Sequence, residues 1–310
     1  TVVKPGLETL RKAISNAVSG STLILETGEY FSEKKIKVTK DITIIGDIGG
    51  ATIIAANKNI KKPIDYLFRV EENVTFKLSN VFIDGKNSNL KYAIVSPDKL
   101  QGAGYNLFVD TVVFQNFKNK KGGSVFKAYN GTKADTLSFV NSRFENNFRG
   151  LNLSYDNKNS GMFNANFIVV KNSVFKNIKE SAINYVRKIP NNMISGGNLL
   201  VENCVFYNVD NREKGKIIKA DGIHRVKIVN SVFDNSYKVK TPIVLKGMSQ
   251  QISNCLINNS GYVKISQGAR KSDLLYKNPK WEDKTLFIPS KKSVLLKEKN
   301  KKATIGLLQI

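Results

Sequence analysis

The chain has 310 residues, 41% of them apolar, and its 49 Lys and Arg outnumber 25 Asp and Glu for a formal net charge of +24. That length admits one large domain or two ordinary ones, and no stretch approaches the roughly 20 consecutive apolar residues that a membrane-spanning helix needs. The lysines are spread along the chain instead of forming one tail, so the expected partner is a polyanion: nucleic acid, anionic lipid or acidic polysaccharide. The sequence opens at Thr1 with neither Met nor an apolar leader. From this we expect a processed secretion signal and a secreted, periplasmic or cell-surface protein.

The first predicted element is amphipathic. In GLETLRKAISNAVSG, residues Leu7, Leu10, Ile14 and Val18 fall at helical spacing, and the strand STLILETGEY follows. A helix here would cap the open end of a sheet and block end-to-end pairing.

From residue 81 onward the chain repeats itself. The segments VDTVVFQNF, VNSRFENNF, VKNSVFKNI, VENCVFYNV, IVNSVFDNS and QISNCLINNS follow the pattern Val-x-Asn-x-x-Phe-x-Asn, with central residues Phe114, Phe144, Phe175, Phe206, Phe233 and Ile257. LSNVFIDG, centred on Phe82, reads as an earlier and looser copy. The central residues recur every 24 to 32 positions, and two residues after them come Asp84, Asn116, Asn146, Asn177, Asn208, Asn235 and Asn259. Each copy alternates apolar and polar residues, ends in Asn or Gly, and is separated from the next by no helix-length period. This interval suits three short strands and three turns, one coil of a solenoid. The expected fold is all-β: a single-stranded right-handed parallel β-helix with an N-terminal helical cap, in one domain over 1–310. The cap covers about 1–25, and a non-repeating segment from about 274 folds back along the body. Stacked coils should bury the Phe positions in a column, with the Asn side chains bonding the backbone of the next turn.

Cys204 and Cys255 occupy the same repeat position with the Phe233 coil between them. Two coil steps of roughly 4.8 Å exceed the Cα separation of about 7 Å that a disulfide tolerates, so two free, buried thiols are expected.

The strands that follow the Phe-x-Asn turns read RGLNLSYD, ESAINYVRK, GKIIKADG, TPIVLKG and GYVKISQG, and should stack side by side as a face suited to a linear polymer. Arg149, Asn152, Tyr155, Tyr185, Arg187, Lys216, Lys219, Asp221, Lys246 and Lys264 are its polar or aromatic members, with His224 and Arg225 in the next turn. GKIIKADG can be read in two registers. If Ile218 and Ala220 point in, then Lys219 and Asp221 point out.

The opening ETLRKAISNAVSGSTLILETGEY, the Asn-rich coils, GKIIKADGIHRVKIVNSVFDNS and the terminal DLLYKNPKWEDKTLFIPSKKS together resemble the chondroitinase B and alginate lyase family of bacterial polysaccharide lyases. The resemblance spans most of the chain and implies a pectin-lyase-like solenoid that cleaves uronate-containing polysaccharide by β-elimination. It implies a Lys base and an Arg from neighbouring coils, often assisted by calcium on carboxylates and an Asn. Removing the C5 proton of a uronate builds negative charge on the carboxylate, so a cation must meet that group while a base takes the proton. Lys219 matches the family's Lys-bearing strand. Lys246 stands where the resemblance puts the Arg, a departure that removes the bidentate fork. Ahead of Lys219 the stretch REKGKIIK offers only Glu213 as an acid, too few oxygens for calcium. No metal and no other cofactor is therefore expected, with Arg187 or a lysine taking the neutralising role.

Tyr185 with His224 forms an alternative base and acid pair. Arg149, Asn152, Tyr155, Lys216, Asp221 and Arg225 are the expected substrate contacts. A noncatalytic glycan-binding β-helix is the other reading of the same groove. Glycoside hydrolysis needs two flanking carboxylates, and beside Glu213 only Asp210 and Asp221 lie near without forming a pair. No nucleic-acid module is recognisable. The expected partner is an acidic polysaccharide bound by a monomer.

Overall fold

The computed structural model describes residues 1–55, 64–86, 90–98, 104–155, 163–187, 196–265, 270–298 and 305–307. Apart from one antiparallel pair, Trp281–Asp283 with Ile288–Pro289, its strands pair in parallel with the strand one coil away, as in Phe144 opposite Phe175 and Phe175 opposite Phe206. Among the described residues twenty strands share one hydrogen-bonded system and nine more form a second parallel sheet, which is a parallel β-helix.

The interior is the column that the repeat implies. Phe114, Phe144, Phe175, Phe206 and Phe233 are fully buried, and their rings stack at centroid separations of 5.3, 4.3, 5.0 and 4.8 Å. Phe82 departs from it. Ile83, not Phe82, pairs with Phe114, which turns Phe82 outward to 41% exposure. A one-residue slip in a strand exchanges its two faces.

The asparagines after the Phe positions turn the chain. Asn116, Asn146, Asn177, Asn208, Asn235 and Asn259 all have φ between 47° and 65°, the left-handed region that Asn tolerates better than most residues. Their side chains bond one another more than the backbone expected for them: Asn177 Nδ2 donates to Asn146 Oδ1 at 3.1 Å, and Asn208 Nδ2 to Asn177 Oδ1 at 2.9 Å. Coil stacking places identical amides one above the next, so donor meets acceptor along the ladder.

Cys204 and Cys255 are free and buried, with Ser231 on the coil between them: Ser231 Oγ accepts from Cys204 N, and Ser231 O accepts from Leu256 N. Burial pushes both thiols up to about 12.

The N-terminal helix covers only Thr9–Asn16, shorter than its periodicity suggests. Leu10 and Ile14 face the core, whereas Leu7 and Val18 lie outside the helix and are exposed. Lys40 Nζ donates to Ser15 O at 2.9 Å and to Ala17 O, placing a cation at the negative end of the helix dipole. At the other end, Phe287, Leu295 and Ile305 pack on the outer side chains of Val174, Val205, Val232 and Leu256. Trp281 Nε1 donates to Asp234 Oδ2 at 2.8 Å.

Candidate functional site

The nine-stranded sheet carries the site. Its five C-terminal strands are Leu151–Tyr155, Ile183–Arg187, Ile218–Asp221, Ile243–Lys246 and Lys264–Ile265, the segments expected to stack. Ile218 and Ala220 are buried while Lys219 and Asp221 are not, which decides the register of GKIIKADG. Pairing then sets an outward row of Lys127, Asn152, Asn184, Lys219, Val244 and Lys264. Within it Asn184 Nδ2 donates to Asn152 Oδ1 at 3.1 Å.

The turns leading into these strands build a wall beside the row. Arg149 precedes the strand Leu151–Tyr155, Glu180 precedes Ile183–Arg187, and Arg212, Lys214 and Lys216 precede Ile218–Asp221. Row and wall enclose an open groove of about 480 Å³. Six cations line it, Lys127, Arg149, Arg212, Lys214, Lys216 and Lys219, against the two carboxylates of Glu180 and Asp210. Four positive charges are thus in excess, and walls of low dielectric strengthen their field on an entering anion.

Both carboxylates hold the cations in place. Glu180 is ion-paired to Arg149, and its second oxygen lies 3.5 Å from Arg212 Nη1. Asp210 Oδ1 accepts from Arg212 Nε at 2.5 Å, and Asp210 Oδ2 from the backbone N–H of Lys216 at 2.6 Å. Asp210 is almost fully buried and takes φ 44°, where Asp is among the residues that fit. Lys216 Nζ in turn donates to Gly215 O at 3.0 Å and to Lys214 O at 3.3 Å. Burial first, then the like charges of Lys219 and Lys264, lower the Lys216 ammonium below the usual lysine value, with Asp210 opposing. Asp210→Ala should shift the urea midpoint by an amount corresponding to about 2–3 kcal/mol at unchanged m, because a charge-assisted bond and the acceptor of a partly buried N–H are lost together.

Calcium does not suit this donor set. The oxygens of Glu180 and Asp210 are occupied by guanidinium and amide donors, Glu213 is paired with Lys240, and no three Asp, Glu, His or Cys converge among the described residues. Calcium takes six to eight oxygens.

Several expected site residues lie elsewhere. Tyr185 is an interior residue: its ring is fully buried and its hydroxyl donates to Ala165 O, so it is neither a groove aromatic nor a base facing the groove. Arg187 is also buried, at 2% exposure, with its guanidinium over the Phe163 ring at 5.1 Å and Nη1 donating to Gly196 O. Odd and even positions of a strand face opposite ways, and Arg187 shares the inward parity of Ile183 and Tyr185. Lys246 is exposed but belongs to the row of Ser154, Val186 and Asp221, with Nζ 3.9 Å from Asp221 Oδ2. Val244 is the residue beside Lys219 on that coil.

His224 and Arg225 fall past the strand end. The His224 backbone bonds Gly196 and Ser249, and Arg225 starts a strand of the larger sheet, opposite Asn198 and Ser249, on a different face from Lys219. Tyr155 pairs in register with Arg187, and its side chain lies outside the described residues. Arg149, Asn152, Lys216 and Lys219 are brought together. Lys127, Glu180, Asn184, Arg212 and Lys214 join them without having been singled out in the sequence. Their signal is positional, since Glu180, Arg212 and Lys214 fall in the same pre-strand turn as Arg149 and Lys216.

The fold and the groove define a class, a parallel β-helix with a cation-rich groove on one sheet and its adjoining turns. No protein-family model matches the chain, and no curated protein does. Among solved structures, the PL6 family alginate lyase AlyGC superposes with a TM-score of 0.74 at 20% identity, over 88% of this chain and 39% of that one. An arginine-to-alanine mutant of the same lyase superposes at 0.60 and 19% identity, over 90% of this chain and 37% of its own. The likeness at this identity is one of fold, and the chain spans about two fifths of the length of these lyases.

Proposed function

We propose that the groove binds an acidic, uronate-containing polysaccharide and that the protein cleaves it by β-elimination with Lys219 as base. The observation that carries this reading is the convergence of Lys219 with Arg149, Arg212 and Lys216 in one open groove. In the reaction the free amine of Lys219 takes the C5 proton and the developing charge on the uronate carboxylate is met by the neighbouring cations. The C4–O bond then breaks, its electron pair passes to the leaving oxygen, which takes up a proton, and a C4–C5 double bond remains. The fold likeness to an alginate lyase supports this chemistry.

Arg149 and Arg212 take the part of carboxylate neutraliser, fixed by Glu180 and Asp210, so the reaction proceeds without metal or other cofactor. A guanidinium carries five N–H donors, so one held by a protein carboxylate keeps others for a substrate carboxylate. Chelator should leave the rate unchanged, whereas raising salt should weaken binding, because screening acts on an open groove. A rate abolished by chelator and restored by calcium would overturn the metal-free reading.

Among the described residues no helix is long and apolar enough to cross a membrane. The reading is of a monomer acting on polymer outside the cytoplasm, with no nucleic-acid partner. A second reading, glycan binding without cleavage, is favoured by Val244, which leaves the coil after Lys219 with no cation beside it in the row. The deciding experiment follows the ultraviolet absorbance of unsaturated uronate with alginate, chondroitin sulfate, dermatan sulfate, heparin and pectin in turn. A rise that disappears in Lys219→Ala establishes the lyase. Salt-sensitive binding with no rise on any polymer establishes the second reading.

A further inference from the structure

We infer that Tyr262 and Tyr276 form a sugar-stacking subsite at the C-terminal end of the groove, extending along the solenoid the polysaccharide site proposed above, on which it rests. The turn wall of the groove continues past Arg212 and Lys214. Lys240 N donates to Glu213 O at 3.3 Å, and Tyr262 N donates to Lys240 O at 3.1 Å, so Tyr262 stands two coils further along the same wall. Two coil steps carry it about 10 Å from Glu213, within reach of a linear chain already seated among the cations.

Tyr262, at 77%, is the most exposed aromatic residue among those described, and Tyr276, at 48%, adjoins it, with ring centroids 6.3 Å apart and planes tilted by 46°. Contiguous exposed apolar surface rimmed by polar residues is a mark of a binding site. Phenol rings suit a pyranose, whose C–H face is apolar and whose rim is polar.

Charge specifies which pyranose. Lys264 lies two residues after Tyr262 and ends the outward row that contains Lys219, and its charge is felt at Lys216 inside the groove. A sugar stacked on Tyr262 would lie on the same coil as this exposed cation, which favours a uronate over a neutral sugar.

The test uses Lys219→Ala as background, so that polymer is bound without being consumed, and measures binding of alginate and chondroitin sulfate oligosaccharides of graded length. Tyr262→Ala with Tyr276→Ala should weaken binding of the longer oligosaccharides about tenfold and leave the shortest unchanged. Tyr262→Phe should retain the affinity, since the ring remains, and this variant separates stacking from any loss of local structure. If the double variant binds every length as its background does, the subsite is overturned while the groove stands. If the background protein binds none of these oligosaccharides, both the groove reading and the subsite fall.

Discussion

Lys219→Ala is expected to lower the rate of unsaturated-uronate formation by about 10²–10⁴-fold, the range that a positioned general base supplies. Polymer binding should survive, because five other cations line the groove. The control is Lys216→Ala. Lys216 is the groove lysine that burial and its cationic neighbours hold below the usual value, but its Nζ is turned back onto Gly215 O and Lys214 O. Lys219 instead projects from the sheet beside Asn184. The expected order is therefore a small loss for Lys216→Ala and a large one for Lys219→Ala. The reverse order would make Lys216 the base. An intact rate in both variants would remove elimination by either lysine.

Phe175→Ala should be the most damaging single truncation in the interior, at about 3–5 kcal/mol. Its ring lies between Phe144 at 4.3 Å and Phe206 at 5.0 Å, nearly parallel to both, and none of it reaches solvent. Removing it opens a cavity in the middle of a column whose neighbours are held by coil hydrogen bonds and cannot close the gap. Each coil of a solenoid depends chiefly on the two beside it, so local hydrogen exchange should rise first in the strands around residues 144, 175 and 206. Phe167→Ala, at a position 54% exposed, provides the comparison and should change stability by no more than about 0.5 kcal/mol. Equal effects at the two positions would contradict the stacked column as the source of stability.

The coil repeat, the Phe column, the Asn turns and the free thiols were legible in the sequence because they are one-dimensional facts. A residue that recurs once per coil must meet its own copies when the coils stack, whatever the details of the turns. The same logic located the face that carries Lys219 and, through the turns, Arg149 and Lys216. Facing and neighbourhood were not legible in the same way. Tyr185 and Arg187 lie in the same strand as Asn184, yet one step in parity sends them into the interior. Lys246 is on the coil after Lys219 and still misses it by two positions, since strand register depends on how many residues the intervening turn consumes.

Composition and periodicity by themselves determined a basic solenoid, for these depend only on which residues recur and how often. Tertiary structure alone decided that Arg149 and Arg212 meet across Glu180, and that Asp210 closes the network onto Lys216. Those groups come from turns of unequal length on successive coils, and only the hydrogen-bonded stacking of the coils brings them to one place.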